Sequence, residues 1–289
     1  MTVTIKAGFV SMTEDSDLIS PYSLERDLAP SPSMAEDKFD MKGVGLLTFA
    51  HGLHDTYASW LAALLPVLIE KFGITNTMAG ALSMANTIPS VLQPFIGYLA
   101  DKRNLRWLIV IAPAITALTM SSLVVLPSYE LLIIFLLISG LSAAGIHSVG
   151  PGVTSHYSGK SIGKGMSFWM IGGELGFSVG PLLATNMVLL IGISRMPLVA
   201  IGGVLVSLFL ISATRNVDTR AAKGPSKIDW VAFKGGLRKA MFPMILLLIT
   251  RALMGVMLST FLPTFLRSEG ASLGFAGAGM AIAGAAGVV

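Results

Sequence analysis

No cysteine occurs in the 289 residues, which excludes disulfides, thiolate metal sites and a cysteine nucleophile. Charge is scarce too. Asp, Glu, Lys and Arg make up 12% of the chain, against roughly 25% in soluble domains. With 53% hydrophobic residues and a mean hydropathy of +0.75, a soluble fold would have more apolar surface than it could bury. Short strand-like alternation of apolar and polar residues is missing, which argues against a barrel. The formal charge of +4 is small, and the basic residues fall between apolar runs rather than along one face, so nucleic acid is not an expected partner.

What is present is a series of long apolar runs. A bilayer core of about 30 Å needs about 20 mainly apolar helical residues. Seven stretches meet or approach that length, at 44–69, 78–99, 107–126, 131–153, 165–191, 197–213 and 241–266, and an eighth begins near Gly274 and is still running at Val289. Backbone polar groups must be satisfied within lipid, so the expected fold class is an all-α membrane protein, a helix bundle in contact with the lipid bilayer. Residues 1–41 hold eight acidic against three basic residues, with Pro21, Pro30 and Pro32. They are expected to be a disordered acidic tail, and they do not read as a signal peptide.

Basic residues set the expected orientation. The loops after the second, fourth and sixth runs hold twelve Lys and Arg, whereas the loops after the first, third, fifth and seventh hold only Lys71, Arg195 and Arg267. The positive-inside rule then places the N-terminus in the cytoplasm of a multi-pass plasma (inner) membrane protein. The loop 215–240 places Trp230, Phe233 and Leu237 at helical spacing among Lys227, Lys234 and Arg238. It is either a membrane-surface helix or a solvated linker.

Sliding the chain by 197 residues aligns Leu65-Pro66 with Leu262-Pro263, Gly73 with Gly270, and Ala79-Gly80-Ala81 with Ala276-Gly277-Ala278. One offset serves all three. Parallel repeats of this kind occur in secondary transporters. The expected organisation is therefore a six-helix half at 42–214, the loop 215–240, and the first two helices of a second half at 241–289. On this reading four spans are lacking, and the chain by itself is not expected to transport.

After the second run comes Gly97-Tyr98-Leu99-Ala100-Asp101-Lys102-Arg103-Asn104-Leu105-Arg106. Gly97 would let a neighbouring helix approach, Asp101 could cap a helix or pair with a base, and Lys102, Arg103 and Arg106 would anchor the cytoplasmic face. The string resembles the loop signature of the major facilitator superfamily, with Asn104 at its second glycine, a residue that also tolerates positive φ. In the fifth run, Gly172, Gly173, Gly176, Gly180 and Pro181 suit close helix packing. Gly176 to Pro181 also resembles the first part of a drug/proton antiporter motif, although Ala184 and Thr185 replace its last two glycines. His54-Asp55-x-Tyr57, Ile146-His147-x-x-Gly150 with Ser158-Gly159-Lys160, and Gly172 to Phe177 are together similar to the fosmidomycin-resistance efflux subfamily. The resemblance implies a major-facilitator-type bundle, driven by protons, that exports small toxic compounds or antibiotics.

Ionisable groups inside a membrane are expensive and normally face a cavity or a partner. The candidates for proton coupling are Asp55 and Glu174, with His51 and His54; those for substrate binding are Arg251, Tyr57 and His147. His51 and Asp55 are four apart and share a helix face. His54 and Arg251 coincide under the 197-residue offset, each about ten residues from the cytoplasmic end, or ~15 Å at helical rise. An arginine cannot shed its charge, so Arg251 needs an anionic partner, either a substrate group or a carboxylate.

Neither a metal nor an organic cofactor is expected, the proton gradient supplying the energy, and the chain is not expected to be an enzyme. Gly140-Leu141-Ser142-Ala143 imitates an intramembrane serine protease motif, but no histidine follows His156 to act as base from a later helix. Gly159-Lys160-Ser161 imitates a phosphate loop without the preceding glycine or strand. An uptake symporter for a small organic anion and a non-transporting membrane fragment remain open beside export.

Overall fold

The computed structural model describes residues 38–219 and 238–286. The expected tail up to residue 37 and the stretch 220–237, with Trp230, Phe233 and Leu237, lie outside the described residues, and so does the side chain of Arg251. Within these bounds the fold is helical: α1 Met41–Ala58, α2 Trp60–Phe72, α3 Asn76–Thr87, α4 Gln93–Lys102, α5 Arg106–Ser122, α6 Tyr129–Ser158, α7 Ile162–Ile191, α8 Ile201–Ala213, α9 Arg238–Ser268 and α10 Leu273–Ala286. Tight 3₁₀ turns join several of them, at Ile88–Leu92, Leu123–Val125 and Ile193–Ala200.

Four helical stretches among the described residues are each long and apolar enough to cross a membrane: Arg106–Val125, Tyr129–Ser158, Ile162–Ile191 and Ile193–Ala213. The first two runs read from the sequence are instead built from pieces. In the first, Thr56 Oγ1 bonds back to Gly52 O at 2.8 Å and Ser59 Oγ to Thr56 O at 2.9 Å. Such back-bonding bends helices, and α1 gives way to α2 at Ser59. In the second, Pro89 and Pro94 lack the amide protons an α-helix would use, and the chain tightens into the 3₁₀ turn between α3 and α4.

The 197-residue repeat has a structural counterpart. Pro66 lies inside α2 and Pro263 inside α9. Gly73 and Gly270 follow those helices with φ of 61° and 90°, a backbone that glycine adopts without strain. The next helices then begin at Asn76 and Leu273, the same offset again.

Polarity is arranged as lipid requires. Leu190, Leu198, Val91 and Phe49 are exposed, while His51, His54, Asp55 and Thr116 are buried. One apolar cluster gathers Trp60, Leu64, Leu68, Leu82, Met120 and Leu136. A second gathers Leu47, Ile109, Ile146, Val149, Val153 and Trp169. Because His51, His54 and Asp55 fall between Leu47 and Trp60 along the chain, the polar groups sit between the two apolar clusters.

Lipid tails are as apolar as leucine, so helices in a membrane associate through close packing. The glycines of α7 serve this directly. A Cβ on Gly52 would lie 2.7 Å from Gly172 O, one on Gly172 would strike Thr48 O, one on Gly176 would strike Gly52 O, and one on Gly180 would strike Thr56 O. On its other side α7 meets α10, where a Cβ on Gly277 would lie 3.0 Å from Pro181 O and one on Gly284 2.9 Å from Ser178 Oγ.

Candidate functional site

The buried polar cluster is assembled from three helices. His51, His54 and Asp55 come from α1, His147 from α6, and Trp169 and Gly173 from α7. His51 Nδ1 lies 2.9 Å from the Trp169 carbonyl oxygen. A carbonyl can only accept, so Nδ1 carries the proton. The Trp169 ring stacks on the imidazole, with centroids 3.8 Å apart and planes within 7°. Together these contacts turn His51 Nε2 toward Asp55 Oδ2, 3.1 Å away.

The consequence is chemical. With Nδ1–H committed, a neutral His51 would present a lone pair to a carboxylate, which is repulsive at this distance. One proton must therefore lie on this side of the ring, either on Nε2 or on the Asp55 carboxyl. Two further histidines face the same carboxylate: His147 Nε2 is 3.5 Å and His54 Nε2 3.9 Å from Asp55 Oδ1. Both ring nitrogens of His54 are buried without a hydrogen-bond partner. The His147 side chain is 35% exposed and opens the cluster to a cavity of about 320 Å³ lined also by Met170, Gly173, Glu174 and Phe177. The ligand atoms of His51, Asp55 and His147 lie within 4.8 Å of one another, so spacing alone would admit a metal ion. The 3.1 Å separation of His51 Nε2 and Asp55 Oδ2 is also that of a hydrogen bond, whereas the 3.5 and 3.9 Å separations of His147 and His54 from Oδ1 are longer.

Two glycines make room for this arrangement. A Cβ on Gly173 would stand 2.8 Å from Asp55 Oδ2, and one on Gly150 would strike the Trp169 ring. Trp169 is the site residue that sequence reasoning passed over. It is four residues before Gly173, on the same face of α7, and that spacing was the available signal.

The other candidates are distributed differently. Glu174 is exposed and lines the cavity beside Asp55. Tyr57 does not join the cluster, because its hydroxyl donates to Val199 O at 2.7 Å and ties α1 to the turn before α8.

The loop between α4 and α5 is held by polar contacts of its own. A Cβ on Gly97 would meet no atom within 4 Å among the described residues. Asn104 does not use positive φ, since no residue other than glycine does so among those described. It accepts from Arg106 N at 3.1 Å and donates to Val217 O at 3.3 Å, pinning the loop to the segment after α8. Arg106 also reaches Ile211 O at 3.4 Å, and Lys102 contacts the Tyr98 hydroxyl. Asp101 and Arg103 are exposed.

These features agree with comparison to known proteins. Residues 47–289 match the model of the Major Facilitator Superfamily. The Fosmidomycin resistance protein of Escherichia coli (strain K12) is 26% identical over 202 residues, 69% of this chain and 49% of that protein. The uncharacterized MFS-type transporter YfnC of Bacillus subtilis (strain 168) is 25% identical over 148 residues, 51% of this chain and 36% of that protein. The chain thus aligns with about half or less of the length of these relatives. On the family match, and with its helical bundle, the chain belongs to the major facilitator superfamily of membrane transporters.

Proposed function

We propose that the chain carries the coupling site of a proton-driven secondary transporter that exports small toxic compounds, antibiotics among them, by alternating access. The observation that carries this reading is Asp55, buried in the bundle, with His51, His54 and His147 within 3.9 Å of its oxygens and a cavity beside it. A group that must hold a proton in one conformation and release it in another needs burial, partners that can share the proton, and a path to water. All three are supplied here. Glu174, on the cavity wall, is the second carboxylate through which a proton could pass. The relative named for fosmidomycin resistance supports the substrate class.

Arg251 is the proposed reader of an anionic substrate group, since a planar guanidinium suits carboxylate or phosphonate oxygens bidentately. The twelve basic residues of alternate loops support a cytoplasmic N-terminus in the plasma membrane. The test is made in everted vesicles carrying a full-length transporter that contains this chain, with an internal pH indicator. Adding an exported compound to acid-loaded vesicles should release protons. If no compound moves protons, or if protons and compound travel in the same direction, export by exchange is wrong.

A further inference from the structure

Glu70 and Arg267 hold the same place in the two repeats, separated by the offset of 197 residues. In parallel repeats related by an axis along the membrane normal, equivalent positions lie at one depth on opposite sides of that axis. The structure agrees: both residues line one cavity of about 600 Å³ between the C-terminal ends of α2 and α9, together with Asn76, Thr264 and Ser268. The two helices converge only at this end. Phe261 packs against the apolar cluster around Trp60 and Leu64, whereas the described side chains of α9 from Phe242 to Leu258 are exposed.

Neither charge is neutralised by its neighbours. Lys71, adjacent to Glu70, is committed to the carbonyls of Val124 and Leu126 at 2.8 and 2.6 Å. Glu70 forms no hydrogen bond or ion pair among the described residues, and Arg267 directs Nη1 to Ala271 O at 2.9 Å. Thr264 Oγ1 is buried beside them without a partner. We propose that Glu70 and Arg267 are the two sides of a charged latch that shuts the mouth of the pathway at the end opposite the Gly97–Arg106 loop. The cavity is the gap left when the latch is open. Opposite signs at equivalent positions attract across the axis, where like signs would hold the mouth apart. Because an exposed ion pair is weak, the latch can release in every cycle.

The absence of native cysteine makes the test direct. Thr264→Cys is introduced alone, and its modification by a membrane-impermeant thiol reagent is timed in liposomes without a pH gradient, so that failure here leaves the proton reading standing. Adding Glu70→Gln or Arg267→Gln should speed labelling about threefold at low salt, and the double reversal Glu70→Arg with Arg267→Glu should restore the parent rate. High salt should erase the difference. Glu269→Gln, at the acid two residues beyond Arg267, should change nothing. Equal rates in all variants, or no recovery in the double reversal, would overturn the latch. As a second measurement, a Glu70→Cys, Arg267→Cys protein should form an intramolecular disulfide under mild oxidation. Failure to cross-link with either an oxidant or a short bifunctional thiol reagent would contradict the proposal.

Discussion

The Trp169 carbonyl, 2.9 Å from His51 Nδ1, decides which nitrogen of that histidine faces Asp55. The arrangement of His51 and Asp55 therefore depends on the register between α1 and α7, where glycines let the two backbones touch.

Gly173 faces the side chains of His51 and Asp55 themselves. Gly173→Ala places a methyl group 2.8 Å from Asp55 Oδ2 and should reduce proton-driven flux at least tenfold, an energy of about 1.4 kcal/mol within the usual range for overpacking. Gly97→Ala enters open space and should leave flux within twofold of wild type. Initial rates of a full-length transporter that contains this chain, in vesicles at matched protein content, make the comparison.

The α1–α7 seam should be measurable as stability. Gly52→Ala or Gly176→Ala drives a methyl group into a facing backbone and should destabilise the bundle by about 1–3 kcal/mol. Gly45→Ala, with no atom within 4 Å of the new carbon, should be neutral. Thermal unfolding in detergent, followed by exposure of a buried reporter, separates the two outcomes.

Orientation can be read with single cysteines in the cysteine-free chain. Lys102→Cys and Lys160→Cys should react with impermeant reagent only when the cytoplasmic face is accessible, and Ser272→Cys only from the other face. Labelling of all three from one side would reverse or discard the orientation given by the basic loops.

Arg251→Lys should weaken binding of anionic compounds at least tenfold while leaving neutral compounds within twofold, because an ammonium cannot reproduce the bidentate fork. Binding of both classes to a purified full-length transporter that contains this chain, measured before and after the substitution, checks this. Equal losses, or none, would remove Arg251 from the substrate site.

Much of this architecture was legible in the sequence because lipid imposes simple rules. Apolar run length located the helices, and the offset that pairs Pro66 with Pro263 and Gly73 with Gly270 reappears as matching helix positions. The i, i+4 spacing of His51 and Asp55 put them on one face, and they meet at 3.1 Å. What periodicity cannot supply is the identity of the neighbour across a helix interface. His147, expected at a substrate site, faces Asp55 from over ninety residues away in sequence and lines the adjoining cavity. Tyr57, three residues from His54, points to Val199. The break at Ser59, where the hydroxyl bonds back to Thr56 O, leaves no mark on hydropathy.

The central claim is that the Asp55 cluster carries the coupled proton. The most direct measurement is proton-driven flux in vesicles carrying a full-length transporter that contains this chain, with Asp55→Asn, Glu174→Gln or both, and with membrane insertion checked by protein yield. Asn keeps the shape of the side chain but cannot take up or release a proton in this range. Asp55→Asn should abolish flux driven by a pH gradient, and Glu174→Gln should slow it. Proton-driven flux that persists at the wild-type rate in the double variant would contradict the account.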